Sequence, residues 1–209
     1  MSEIVVQKFG GTSVGTVDRI DSVAEIIKNA SKSNKIVVVV SAMGGETNRL
    51  VDLAKAFGDD PDKREFDALV STGETVSSAL LTMALHSKGV KAKSFSASQI
   101  SMRTTSSYSK AKILDVDAKK ILDVVENDTI PIITGFQGVT EGGDVTTLGR
   151  GGSDTTAVAI AAQISAIRCD IYTDVDGIFT TDPSVVPNAK KLDSITMEEM
   201  LELAGQGAK

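Results

Sequence analysis

Tryptophan is absent from this 209-residue chain, and histidine and cysteine occur once each, as His86 and Cys169. Each scarcity removes a class of chemistry. One histidine, late in a long helical pattern, reads as structural, and with no other histidine a Ser-His-Asp hydrolase or a histidine-ligated zinc site is disfavoured. One cysteine permits no disulfide framework within the chain, which suits a reducing compartment. Cys169 itself opens an apolar strand and reads as inert core. Long apolar runs are also missing: the longest, "IVVVV" at 36–40, is far too short to cross a bilayer. The start, "MSEIVVQKF", lacks the basic and apolar regions of a secretory signal. Cationic residues are outnumbered 22 to 28, for a net charge of −6, and no basic cluster with interleaved aromatics appears. That balance argues against nucleic acid as a partner while leaving room for a local cationic pocket. The expectation is a soluble, cytoplasmic protein with no membrane and no nucleic-acid partner.

What is present is an alternation of strand and helix patterns. Residues 4–7 form a β-branched run that ends in Gly-Gly, and residues 17–27 place Val17, Ile20, Val23, Ala24 and Ile27 at helical spacing. The run at 36–40 is apolar at every position, as in a strand buried on both faces. Helices are expected over 47–57, 66–89 (interrupted by Ser-Thr-Gly), 118–127, 153–164 and 197–207. Strands are expected over 91–97, 129–135 and 169–175. Residues 100–110, rich in Ser and Thr, read as an exposed, mobile loop. For 153–164 a capping Ser or Asp is expected at the helix start. The alternation predicts an α/β fold with a largely parallel central sheet. It would be one domain over 1–209, with a first lobe over about 1–145 and the start of a second over about 146–209.

Ligands in such folds gather at the carboxyl ends of strands, where four turns fall. "QKFGGTSVG" (7–15) carries Lys8 before Gly10 and Gly11; paired glycines let a backbone approach an oxyanion closely. It is equally readable as a tight turn with a surface lysine. Its G-x-x-x-x-G spacing lacks the lysine that a P-loop needs next, because Thr16 stands there. "SAMGGETN" (41–48) places Ser41 and Thr47 beside two glycines, as a pocket wall or as a plain capped turn. "TLGRGGSDTTA" (147–157) surrounds Arg150 with glycines and then opens a helix with Ser153 and Asp154. A helix N-terminus favours an anion, and arginine grips a carboxylate or phosphate through two hydrogen bonds. "TDVDGIFTTDP" (173–183) groups Asp174, Asp176 and Asp182 around Gly177 without EF-hand spacing. Either a nucleotide or Mg²⁺ contact or an Asp-rich turn fits it. Glu74, following "STG", is a pocket candidate or a solvated helix residue.

In this order the turns resemble the aspartokinases of the amino-acid kinase superfamily. The matching stretches are "KFGGTSVG", "VVVSAMGGETN", "STGE", "GFQGV", "TTLGRGGSDTTA", "YTDVDGIFTTDP" and "ELAGQGAK", so the likeness covers essentially the whole chain. The resemblance implies a three-layer α/β/α sandwich and transfer of the ATP γ-phosphoryl group to the β-carboxylate of L-aspartate, with Mg²⁺ carried by the nucleotide. It implies that Lys8, Gly10 and Gly11 hold phosphates and that Ser41, Thr47, Glu74, Arg150 and Ser153 hold aspartate. Glu74 would meet the ammonium and Arg150 the α-carboxylate. Asp154 would orient Lys8, and Thr173, Asp174, Phe179, Asp182 and Lys209 would contact the nucleotide. No protein metal ligand is implied. Two departures stand out. Phe179 and Ser184 replace the tyrosine and arginine of the family's "YTTDPR". The chain also ends at "GAK", where the family's catalytic domain continues into further elements and regulatory ACT domains, which implies a C-terminal truncation. A homo-oligomer is implied for the full-length protein. The alternative is a kinase fold that binds nucleotide or amino acid without turnover.

Overall fold

The computed structural model describes residues 3–205. The chain divides into two compact units between Thr173 and Asp174. The first runs, in chain order, β1 (Ile4–Phe9), α1 (Val17–Ala30), β2 (Lys35–Val40), α2 (Glu46–Lys55), α3 (Lys63–Val70), α4 (Thr72–Ser87), β3 (Ala92–Phe95), β4 (Arg103–Thr104), β5 (Ile113–Asp115), α5 (Ala118–Glu126), β6 (Ile130–Thr134), β7 (Gln137–Val139), β8 (Val145–Thr147), α6 (Gly152–Gln163) and β9 (Arg168–Tyr172). Five strands pair in the order β3-β6-β2-β1-β9, every pair parallel.

Alternation along the strands sorts the core into two halves. Val5 and Phe9 of β1, with Ile36, Val38 and Val40 of β2, pack against Ile20, Val23, Ala24 and Ile27 of α1 and against Leu81 and Leu85 of α4. On the opposite face Val6, Val37, Val39 and Ile133 pack against Ile121 and Val125 of α5 and Ala157 and Ile160 of α6. The three-layer arrangement expected from the sequence is the one observed. Each fully buried Val or Ile contributes roughly 1.5–3 kcal/mol, so β2, apolar on both faces, anchors both halves. Thr16 caps α1 by accepting from the Arg19 N–H at 3.2 Å.

The long helical pattern at 66–89 is two helices, broken at Ser71 between α3 and α4. The run Lys63–Ser87 is long and apolar enough to cross a membrane by composition; half of its apolar window is buried inside the protein.

Two expectations fail. Residues 105–110 lie outside helices and strands, with Ser106, Ser107 and Lys110 exposed, but residues 100–104 are not part of an exposed loop: Ile100, Met102 and Thr104 are buried, and Arg103–Thr104 forms β4. This strand belongs to a second sheet, β5-β4-β7-β8, whose members are two or three residues long. Gly138 of β7 permits the close pairing, since a Cβ there would stand 2.1 Å from Thr104 Cγ2. The start of α6 is also not capped by Ser153 or Asp154. Gly151 is the cap, at φ +73°, and both polar residues lie in the first turn.

The second unit, described over Asp174–Gly205, contains a bridge between Phe179 and Lys191 and the helix α7 (Met197–Gly205). Ser184 donates through its N–H and Oγ to Asp182 Oδ1, at 2.8 and 2.6 Å, closing a tight turn. Glu199 receives the N–H and hydroxyl of Thr196, which caps α7.

Candidate active site

Parallel pairing brings the carboxyl ends of β1, β2 and β9 to one edge of the sheet, because Phe9 is in register with both Val40 and Tyr172. A cleft of about 540 Å³ opens there, within the first unit. Its lining includes Lys8, Gly11, Ser41, Thr47, Glu74, Arg150, Ser153 and Asp154. Residues drawn from four separate stretches of sequence therefore share one cavity.

Lys8 is almost fully buried, on the sheet face covered by α6. Its Nζ lies 2.8 Å from Asp154 Oδ1, in the first turn of α6. The ion pair aims the ammonium across the strand end, beside Gly10. The Gly10 N–H itself is spent on the Tyr172 carbonyl at 3.1 Å. That N–H is therefore already committed, and Gly10 does not line the cleft. Gly11 lies against the second turn, where a Cβ would approach the Ala42 carbonyl to 3.0 Å.

The opposite wall carries Glu74, on α4. Gly73 makes its position possible, since a Cβ there would stand 2.8 Å from Ala42 Cβ and force the helix off the 41–44 turn. Packed this closely, Glu74 Oε1 accepts the Ala42 N–H at 3.1 Å. Oε2 is buried and has no hydrogen-bond partner among the described residues. Burial pushes the carboxyl up to about 7; the Glu74 and Ala42 N–H groups offset only part of that effect. Glu74 is thus a buried pocket residue, not a solvated one. Ser77, one turn on, fixes the same turn by donating to the Ser41 carbonyl at 2.6 Å.

Arg150 is exposed at the cleft rim, between Gly149 and Gly151, both at positive φ. Ser153 is buried at the start of α6, so closely packed that a Cβ on Gly135 would stand 2.7 Å from its Oγ. Ser41 and Thr47 are half-buried on the β2–α2 side. Two acidic groups, one of them paired with Lys8, two cationic groups and a helix N-terminus thus face one cavity, a set suited to a zwitterion beside a phosphate.

The model of the amino acid kinase family matches residues 3–209. The chain belongs to the amino acid kinase family. Within it, an aspartate kinase of Pseudomonas putida is 56% identical over 207 residues, covering 99% of this chain and 50% of the relative. An aspartokinase of Geobacillus stearothermophilus is 55% identical over 206 residues, 98% of this chain and 51% of its own. Among solved structures, E. coli aspartokinase III in complex with aspartate and ADP superimposes with a TM-score of 0.89 at 33% identity, covering 99% of this chain and 57% of that one. The chain thus spans about half the length of the curated relatives it matches.

The remaining predicted residues fall outside this cavity's lining. Thr173 follows β9 at the end of the first unit, whereas Asp174, Phe179 and Asp182 belong to the second. Lys209 lies outside the described residues. His86 Nε2 lies 2.8 Å from the Ala92 carbonyl, which suits its structural reading. Cys169 packs at the edge of the α5–α6 half of the core, and partial burial raises its thiol. Sequence reasoning missed Asp67. This fully buried carboxylate binds the N–H groups of Ser109 and Thr147 through Oδ2, both at 2.8 Å, and their hydroxyls through Oδ1, at 3.0 and 2.8 Å. Ser109 and Thr147 both line the cleft.

Proposed function

We propose that this chain carries the catalytic core of an aspartate kinase, which transfers the γ-phosphoryl group of ATP to the β-carboxylate of L-aspartate to give 4-phospho-L-aspartate. The observation that carries the reading is the pairing, in one cleft, of a buried carboxylate with an unpartnered oxygen and a lysine held by an aspartate. The relatives named aspartate kinase support it, as does the E. coli neighbour bound to aspartate and ADP.

Each group has a role that follows from its charge and place. The substrate ammonium meets Glu74, which gains an ion pair on binding and is thereby held ionised. Arg150 takes the α-carboxylate with its planar fork. Ser41, Thr47 and Ser153 supply hydroxyls around it. Lys8 then neutralises charge on the phosphoryl group in transit, and Asp154 keeps its ammonium aimed. The nucleophile is a carboxylate, already ionised at neutral pH, so no general base is required. A catalytic histidine is unnecessary for this reaction. Thr173, Asp174, Phe179, Asp182 and Lys209 remain the nucleotide contacts proposed from the sequence. Among the described residues no group of three His, Cys, Asp or Glu side chains is arranged to hold a metal ion, and Asp154 is committed to Lys8. Mg²⁺ would be carried by the nucleotide phosphates, whose charge it would lower. The product would feed the aspartate-derived routes to lysine, threonine and methionine, and the full-length protein would act as a cytoplasmic homo-oligomer.

ATP-dependent formation of aspartyl hydroxamate by the full natural chain tests the proposal. Product is expected with L-aspartate. Its absence, with ATP and aspartate still binding by calorimetry, would favour a binding module without turnover.

A further inference from the structure

We infer that Asp67 is a positioning residue that anchors the Arg150 turn, and so sets the affinity for the amino-acid substrate from beneath the cleft. Four donors surround its carboxylate and tie α3 to two distant segments, the 105–110 stretch and the end of β8. Thr147, the β8 partner, stands three residues before Arg150. Ser109, the other partner, is held at φ +63°, a conformation a serine adopts only when its surroundings impose it. The Ser109 carbonyl in turn would stand 3.2 Å from a Cβ on Gly149, so this strained residue braces the glycine that precedes Arg150. Leu148 is fixed from the other side, its N–H donating to the Phe136 carbonyl at 2.9 Å, and Gly152 N–H donates to Gly149 at 3.0 Å. The exposed Arg150 turn is thus rooted in a buried carboxylate that does not itself line the cleft. One turn earlier on α3, Arg64 reaches Asp144, which also receives the Tyr108 hydroxyl. That rung links the same segments but is exposed at Arg64, where ion pairs contribute little.

The hydrogen-bond chemistry makes a discriminating test possible. Oδ2 accepts two backbone N–H groups, whereas Oδ1 meets two hydroxyls, which can rotate to accept instead. An asparagine amide can therefore satisfy all four partners, and an alanine none. The inference rests on reading Arg150 as the clamp for the substrate α-carboxylate. In the full natural chain, Asp67→Ala is expected to raise the aspartate KM at least about tenfold, since small misplacements of a clamp are costly. The ATP KM should stay within about threefold, and Asp67→Asn should stay within about threefold of wild type in both. Amide exchange at Leu148 and Gly152, which Asp67 does not touch, should quicken in Asp67→Ala alone. An unchanged aspartate KM in Asp67→Ala, or Asp67→Asn as impaired as Asp67→Ala, overturns the inference. If Asp67→Ala does not fold, Ser109→Ala carries the test: a rise of about threefold in the aspartate KM alone supports the anchor, and no rise overturns it. Should the wild-type chain form no aspartyl hydroxamate, the functional reading fails. Exchange at Leu148 and Gly152 then still decides whether the anchor exists.

Discussion

Asp154 and Glu74 are carboxylates on opposite walls of one cleft, and they are built differently. Asp154 is about half exposed and ion-paired with Lys8. Glu74 is buried, has one accepted N–H and one orphan oxygen, and titrates near 7. The difference teaches what each is for. A carboxylate that already has its cation orients it. A buried carboxylate without a cation costs stability and is useful only when a ligand supplies the charge. On the proposed reading, the catalytic wall would be complete within the fold, whereas the recognition wall would be completed by substrate.

The comparison can be broken most forcefully at Lys8. Lys8→Ala should lower kcat by about 10²–10³-fold and leave the aspartate KM within a few-fold, as expected for an electrostatic contact made in the transition state. Steady-state hydroxamate assays resolve the two parameters, and an effect confined to KM would contradict the role. Glu74→Gln should do the reverse, raising the aspartate KM about 10–100-fold, the loss of one charge-assisted contact of roughly 1.5–3 kcal/mol, with a smaller change in kcat. Next comes pH. Because Glu74 must ionise to meet an ammonium, the aspartate KM should fall about tenfold between pH 6 and pH 8, and Glu74→Gln should lose that dependence.

A further effect has the opposite sign to the loss of activity. Glu74 has a folded-state pKa of about 7, raised from the usual 4.5. Its stabilising contribution is thus full below 4.5 and is lost as pH rises through 7. Glu74→Gln should be more stable than wild type above pH 7, by at most about 3 kcal/mol, and the advantage should vanish near pH 4. Denaturant melts at the two pH values measure it; a variant less stable at pH 8 would show that the buried charge is compensated within the fold.

Much of this arrangement was legible in the chain, for reasons that differ by element. The strands of the parallel sheet are apolar on both faces, so β1, β2 and β6 announce themselves, and their glycine-rich exits fall where ligands bind. Lys8 follows from the β1 exit, whereas Arg150 and Asp154 are legible from their own glycine-rich turn, which leaves β8 of the second sheet. The second sheet left no trace, because strands of two or three residues are too short for a period-two pattern, and the Ser/Thr content of 100–110 mimics a loop. Glu74 was ambiguous since its burial involves the close approach of Gly73 to Ala42, a contact between distant residues. Asp67 looks like any polar residue on a short helix until Ser109 and Thr147 close over it. The Gly151 cap was hidden because a polar residue and a left-handed glycine serve equally well at a helix start.

The central claim, that Glu74 awaits the charge of the substrate, is tested most directly by counting protons. Aspartate binding to the full natural chain at pH 6.5 can be followed calorimetrically in buffers of different ionisation enthalpy. A carboxyl near 7 that ionises on binding should release roughly three-quarters of a proton per site, and Glu74→Gln should release none. Wild-type binding with no net proton release would mean that Glu74 is already ionised before substrate arrives, and would contradict the account.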